Sequence, residues 1–373
     1  MLAVLVSVPI VAFPLALAYL VWRRVSVLGR VSRRLTLLMV VLSALACAAA
    51  AYVERVVLAW TGLSIEVSKT GAGGALLAMF GLVAPLEEAL KVLVVWPLYR
   101  SRRIDGVRLG LCYAAAAGGG FAATRTALAL FAAHGAWAVV GRCLLAAPAQ
   151  LFFAGVWGYA LGSRQHRARW FSLAWFGSTL AHGLYQHIVW GRGAGLLLML
   201  LPLCAFMAFG AWVALRDVAP EPDRFSLLPE PPSLQKMREA LRPADQRLMV
   251  RWIAIGAFVT LGLILLLVSL TVVLGNRVGI DFSLADESDM RASAPLILLG
   301  MAVLLAFPLA GYLIARASSA HSVLEPALSS GLALSALIAI LLTTAPIGVL
   351  FALAIAPLAF GLACGGAWIG IER

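Results

Sequence analysis

Charge is scarce in this chain. Asp, Glu, Lys and Arg together make up 12% of its 373 residues, against 62% hydrophobic. A soluble domain cannot bury that much apolar surface, which excludes a water-soluble enzyme or binding module. Acidic residues are the scarcer sign, with 17 against 29 basic ones and a formal net charge of +12. Such an excess would suit nucleic acid if it formed a single patch, but it is dispersed. Arg23, Arg24, Arg30, Arg33 and Arg34 share one short segment, Arg100, Arg102 and Arg103 a second, and Arg164, Arg167 and Arg169 a third. The loops between them are poor in Lys and Arg, which is the positive-inside pattern. The charge therefore reads as orientation and contact with the headgroups of a lipid bilayer, with no nucleic-acid partner. Cysteine is sparse too. Cys47, Cys112, Cys143, Cys204 and Cys364 lie singly in apolar segments, with no CxxC or paired spacing for a zinc ribbon or disulfide framework. There is no repeat at a solenoid period and no Rossmann or P-loop glycine pattern.

What the chain has instead is apolar runs of about twenty residues or more, the length that spans a bilayer. The expected fold class is an all-α polytopic membrane helix bundle. About eleven transmembrane helices are predicted, near 2–22, 35–58, 73–99, 107–132, 137–162, 170–190, 194–215, 251–275, 293–315, 325–344 and 347–370. The first has no basic residue before it and Arg23-Arg24 after it, the reverse of a secretory signal, so it reads as a retained anchor. With the basic loops inside, the N-terminus is outside and the C-terminus cytoplasmic. A Pro-rich, charged cytoplasmic linker over 216–250 divides a first domain, 1–215, from an accessory four-helix membrane domain, 251–373, of unknown role. The loop "GIDFSLADESDM" (279–290) falls outside. His321 and Glu325, in the loop "ARASSAHSVLEPALSSG", are expected to be solvated.

Ionisable groups at membrane depth cost several kcal/mol and need a partner or a purpose. Glu87 and Glu88 precede Arg100 by about 12 or 13 residues, Gln150 precedes Arg164 by about 14, and His182 follows Arg169 by about 13. At a rise of about 1.5 Å per residue, three helices present polar groups at one level. Pro85 and Pro148, each two residues before its polar group, permit kinks, and Gly118-Gly119-Gly120 permits close approach. Lys91 follows Glu87 by four residues and Glu88 by three, within reach of either. Burial and mutual repulsion oppose ionising both carboxyls, while Lys91 favours the charged form of one. Beside a neutral histidine, that arrangement can activate water. A structural Glu87–Lys91 pair and a satisfied core histidine are the bland alternative. The common depth favours a site.

These motifs resemble those of the PrsW family of intramembrane proteases, relatives of the CAAX prenyl endopeptidases, over roughly residues 35–215. Glu87-Glu88-Ala89-Leu90-Lys91 is similar to the family's EExxK motif. "IDGVRLGLCYAAAAGGGFAATRTAL" (104–128) is similar to its Gly-rich FxxxE segment, "RCLLAAPAQLFFAGVWGYALG" (142–162) to the first histidine frame and "AHGLYQHI" (181–188) to the second. The chain departs at two positions. Arg125 stands where the pattern has Glu, and Gln150 where it has the first histidine. Two dispositions of Arg125 are open: snorkelling outward, or pairing with a carboxylate if the glycine run bends its helix.

The resemblance implies an intramembrane endopeptidase of a bacterial inner membrane, acting on a single-span membrane protein or peptide such as an anti-sigma factor. Glu87, Glu88 and His182 are then the expected catalytic residues, supported by Lys91, Gln150, Gln186 and Arg125. Glu87 serves as general base, Glu88 orients the water, and His182 with Gln150 and Gln186 stabilises the oxyanion. No cofactor or metal is expected. Catalytic zinc normally takes three protein ligands, adjacent Glu87 and Glu88 point about 100° apart on a helix, and Gln150 replaces a histidine. Zinc is the runner-up, because family members are also described as metalloproteases. A pseudoprotease that binds membrane segments or partners is the second reading, and a proton- or cation-coupled transporter the third.

Overall fold

The structure is a computed structural model that describes residues 2–26, 31–132, 137–163, 167–191, 200–218, 239, 248–282, 293–318, 322–344 and 346–371. Most of the linker, most of the segment 279–290, and His321 lie outside them. Every long element described is a helix, as the composition predicts, and there is no strand among the described residues. In chain order these are α1 Leu2–Ser26, α2 Arg33–Thr61, α3 Val67–Ala78, a π-helical turn Met79–Val83, α4 Ala84–Arg100, α5 Val107–Ala132, α6 Trp137–Gly162, α7 Arg167–Gly191 and α8 Leu200–Val218. Then come α9 Val250–Arg277, α10 Ser293–Ser318, α11 Leu324–Thr344 and α12 Pro346–Ile371.

Among the described residues, seven helices are long and apolar enough to cross a membrane: Ser7–Ser26, Arg33–Thr61, Val139–Gly162, Val250–Arg277, Ile297–Ser318, Leu324–Thr343 and Gly348–Ile371. The chain is an integral membrane protein. About eleven spans were expected; α4, α5, α7 and α8 are helical but fall short of that measure. For α4, α5 and α7 the reason is compositional, and α4, at 17 residues, is also short. They carry Glu87, Glu88 and Lys91, the glycine run with Arg125, and His182 with Gln186 and His187 respectively. The single span expected over 73–99 is helical throughout, though it is irregular just before its start, at Gly71, and at a π turn within it. Gly71 takes φ 70°, ψ 174° inside α3, and the π turn separates α3 from α4. Pro85 explains the second irregularity, since it has no N–H for the carbonyl one turn back, and a π turn accommodates the missing bond.

Two compact units are present. The first contains Met1–Arg192 and Ala214–Arg224, the second Gly193–Val213 and Phe225–Arg373, so the boundary runs through α8. In the first unit α5 is the central helix and is packed by α1, α2, α4 and α6. Its small side chains make this possible. A Cβ on Gly110 would sit 2.2 Å from the carbonyl oxygen of Gly158 on α6, and one on Gly120 would sit 2.2 Å from that of Val40 on α2. Helix association in lipid depends on such close backbone approach, because apolar burial gives no drive there. Met39, Val95, Leu98, Tyr113, Trp157 and Leu161 form a buried cluster in this unit.

In the second unit α9–α12 pack around Ile264, Phe307, Leu334 and Ile355. Here one expectation is corrected. Glu325 is buried, 3% exposed, and accepts a hydrogen bond from the Ser322 hydroxyl. It lies in the first turn of α11, where the helix dipole favours a negative charge.

Candidate active site

The π turn and Pro85 set the start of α4, and the first eight residues of that helix carry Glu87, Glu88 and Lys91 into the interior. All three are fully buried. The two glutamates diverge along the helix, yet both enter one cluster, because partners approach from opposite sides.

Glu88 faces Lys91 and α6. Lys91 Nζ is 2.5 Å from Glu88 Oε1, and Trp157 Nε1 donates to Glu88 Oε2 at 2.8 Å. Lys91 also donates to Gln150 Oε1 at 2.5 Å and lies over the Phe121 ring, 5.1 Å from its centroid. Glu87 faces α5, α6 and α7. Its Oε1 is 3.0 Å from Arg125 Nη2, and its Oε2 accepts from Gln150 Nε2 at 2.8 Å. Arg125 therefore pairs inward. It also binds Glu54 of α2, Nη2 to Oε2, at 2.6 Å.

The orientation of Gln150 follows from its neighbours. Lysine can only donate and a carboxylate can only accept, so the amide oxygen faces Lys91 and the nitrogen faces Glu87. That same nitrogen is 3.1 Å from His182 Nε2, and Gln186 Nε2 is also 3.1 Å from it. An imidazole nitrogen facing an amide donor is the acceptor, so the network assigns the His182 proton to Nδ1 and leaves the ring neutral. Nδ1 is 2.7 Å from Glu88 Oε1 without meeting hydrogen-bond geometry; the contact is electrostatic and orients the ring. Phe153 stacks on the other side, 5.5 Å between centroids at 25°. Glu87 Oε2 and His182 Nε2 lie 3.4 Å apart, two acceptors within reach of one amide nitrogen.

The structure thus brings together Glu87, Glu88, Lys91, Arg125, Gln150, His182 and Gln186, from four helices, within hydrogen-bonding range of one another. Sequence reasoning missed Glu54, 5% exposed, and Trp157, fully buried. Glu54 carried a usable signal as a carboxylate inside an apolar run. Trp157 carried none, since its N–H is hidden in a residue that reads as core.

A polytopic helical membrane protein with carboxylates, cations and a neutral histidine buried together is a membrane-embedded polar site of the kind that handles protons and water. The family model described as PrsW family intramembrane metalloprotease matches residues 31–213 of the chain. Protease PrsW of Halalkalibacterium halodurans is similar, 31% identical over 122 residues, which are 32% of this chain and 53% of that protein. The chain thus spans about half the length of the curated relative it matches. No solved structure matches it.

Proposed function

We propose that the first unit is an intramembrane endopeptidase of the PrsW type, hydrolysing a peptide bond of a membrane-protein substrate with water activated by Glu87. One observation carries this reading: Glu87 Oε2 and His182 Nε2 stand 3.4 Å apart, both within hydrogen-bonding reach of one amide nitrogen. A water molecule within reach of both would have Glu87 Oε2 to take its proton and His182 Nε2 beside it. Glu87 takes a proton from it as the water oxygen bonds to the scissile carbonyl carbon. The proton then passes to the amide nitrogen, with His182 beside the path, as the C–N bond breaks. Glu88, held by Lys91 and Trp157, orients His182 through Nδ1. Gln150 is committed to Glu87, Lys91 and His182, which makes it an orienting group in place of the oxyanion donor the sequence suggested. Gln186 Nε2 faces His182 with one of its two hydrogens, and the other is the amide donor left to stabilise an oxyanion.

The reading is metal-independent, and the donor set supports it. Both Glu87 oxygens and both Glu88 oxygens face a cation or an N–H group, and His182 Nε2 faces two amides. These residues do not fit a zinc ion, which needs such lone pairs free. The same engagement favours one second reading, a pseudoprotease that binds membrane segments. The substrate class is a single-span protein such as an anti-sigma factor, and the membrane a bacterial inner one with the N-terminus outside.

Purified full chain in liposomes, supplied with single-span substrates in H2(18)O, tests the proposal. Cleavage with one 18O in the new carboxylate is expected, insensitive to chelators and lost in Glu87→Gln and His182→Ala. Folded wild type that cuts no substrate offered, or cutting that survives both substitutions, refutes it.

A further inference from the structure

Arg125 is the residue at which this chain most departs from the motif it otherwise resembles, and its surroundings show how the reversal is accommodated. One guanidinium nitrogen is shared by two carboxylates from different helices, Glu54 at 2.6 Å and Glu87 at 3.0 Å. Glu54 is the nearer partner, and it is buried in an apolar stretch where a carboxylate has no other evident purpose. The remaining Glu87 oxygen is held by Gln150. Glu87 is thus gripped at both oxygens by groups on two helices, which fixes the plane of its carboxylate.

From this geometry we infer that Glu54 and Arg125 are a positioning pair for Glu87. Arg125 aims the carboxylate, and Glu54 takes up enough of the guanidinium charge that Glu87 is oriented without being neutralised. The carboxylate that the family pattern places at position 125 is supplied here from α2. The inference rests on Glu87 being the general base. A purely structural ion pair would place the same atoms together, so the test must separate orientation from stability.

Glu54→Gln, Arg125→Gln, Arg125→Lys and the exchanged double variant Glu54→Arg/Arg125→Glu are compared in liposomes for kcat, KM and thermal midpoint. Each Gln variant is expected to lower kcat by about a hundredfold, the scale of a small misplacement of a reacting group, with KM nearly unchanged. Arg125→Lys and the exchanged pair are expected to recover about tenfold or more of that loss, mid-range for coupled neighbours. Wild-type kcat in either Gln variant, or losses that track the thermal midpoint with no recovery on exchange, overturns the pair.

A readout independent of cleavage uses dicyclohexylcarbodiimide, which modifies protonated carboxyls in apolar surroundings, with Glu87 followed by peptide mass mapping. Arg125→Gln removes the cation beside Glu87 and is expected to raise its modification about tenfold, while Glu54→Gln leaves it low. Equal labelling in wild type and Arg125→Gln overturns the pair even if the protein proves to be no protease. Raised labelling without cleavage by wild type keeps the pair and removes the protease.

Discussion

Replacing Gln150 by Met tests the centre of the network while nearly preserving side-chain length and shape. In the structure the Gln150 amide accepts from Lys91 Nζ at 2.5 Å, donates to Glu87 Oε2 at 2.8 Å and faces His182 Nε2 at 3.1 Å. Hydrogen bonds to charged groups are worth about 1.5–3 kcal/mol in soluble proteins, whereas interhelical bonds in bilayers average nearer ~0.6 kcal/mol. Two charged partners are lost together, and both stay fully buried. A destabilisation of about 2–4 kcal/mol is therefore expected, between the two scales. Reversible unfolding in mixed micelles, followed by tryptophan fluorescence against the mole fraction of denaturing detergent, measures it. A cycle with Lys91→Met then isolates the shared bond. Coupling of about 0.5–3 kcal/mol is expected for neighbours in one network. If Gln150→Met lies within about 0.5 kcal/mol of wild type, as a surface substitution would, the amide is not the keystone that its contacts imply.

Two further changes probe the elements that hold the cluster. Trp157→Phe keeps most of the ring but leaves Glu88 Oε2 without its donor at 2.8 Å, and about 1–3 kcal/mol of stability should be lost in the same unfolding assay. Gly120→Ala places a methyl group 2.2 Å from the Val40 carbonyl oxygen, so α2 and α5 must separate. About 1–3 kcal/mol should be lost, together with cleavage, because these helices carry Glu54 and Arg125. Gly141→Ala, with nothing within 4 Å of the added carbon, is the matched control and should be neutral or slightly stabilising.

The convergence of Glu87, Glu88, Gln150 and His182 was legible because a helix has a fixed rise, so distance along the chain from a basic flank converts to depth. The same ruler reaches further. Glu54 follows Arg34 by about 20 residues and Arg125 follows Asp105 by about 20, which puts the two at one level near the opposite side. Read that way, Arg125 had a partner in the sequence, and the choice between snorkelling and pairing could have been made. Other features had no such trace. A proline in a helix is compatible with a kink or a π turn, and the choice of a π turn at Met79–Val83 depends on what α4 packs against. Glu325 reads as a loop residue because nothing local reports that the first turn of its helix is covered.

The charges of the site bear on its chemistry. Three carboxylates, Glu54, Glu87 and Glu88, contact two permanent cations, Lys91 and Arg125, and His182 is neutral in the tautomer that Gln150 assigns. With all three carboxyls ionised the cluster would carry one net negative charge, and net charge is costly in a medium that screens poorly. Taking one proton from water makes it neutral. In the mechanism proposed above, that transfer takes the negative charge off the side chains and places it on the oxyanion of the tetrahedral intermediate. An arginine at position 125 without Glu54 would invert this. The cluster would already be neutral, and accepting a proton would leave it positive. Reversing a charge beside a general base is tolerable only when a second carboxylate comes with it, and α2 places Glu54 where that is needed.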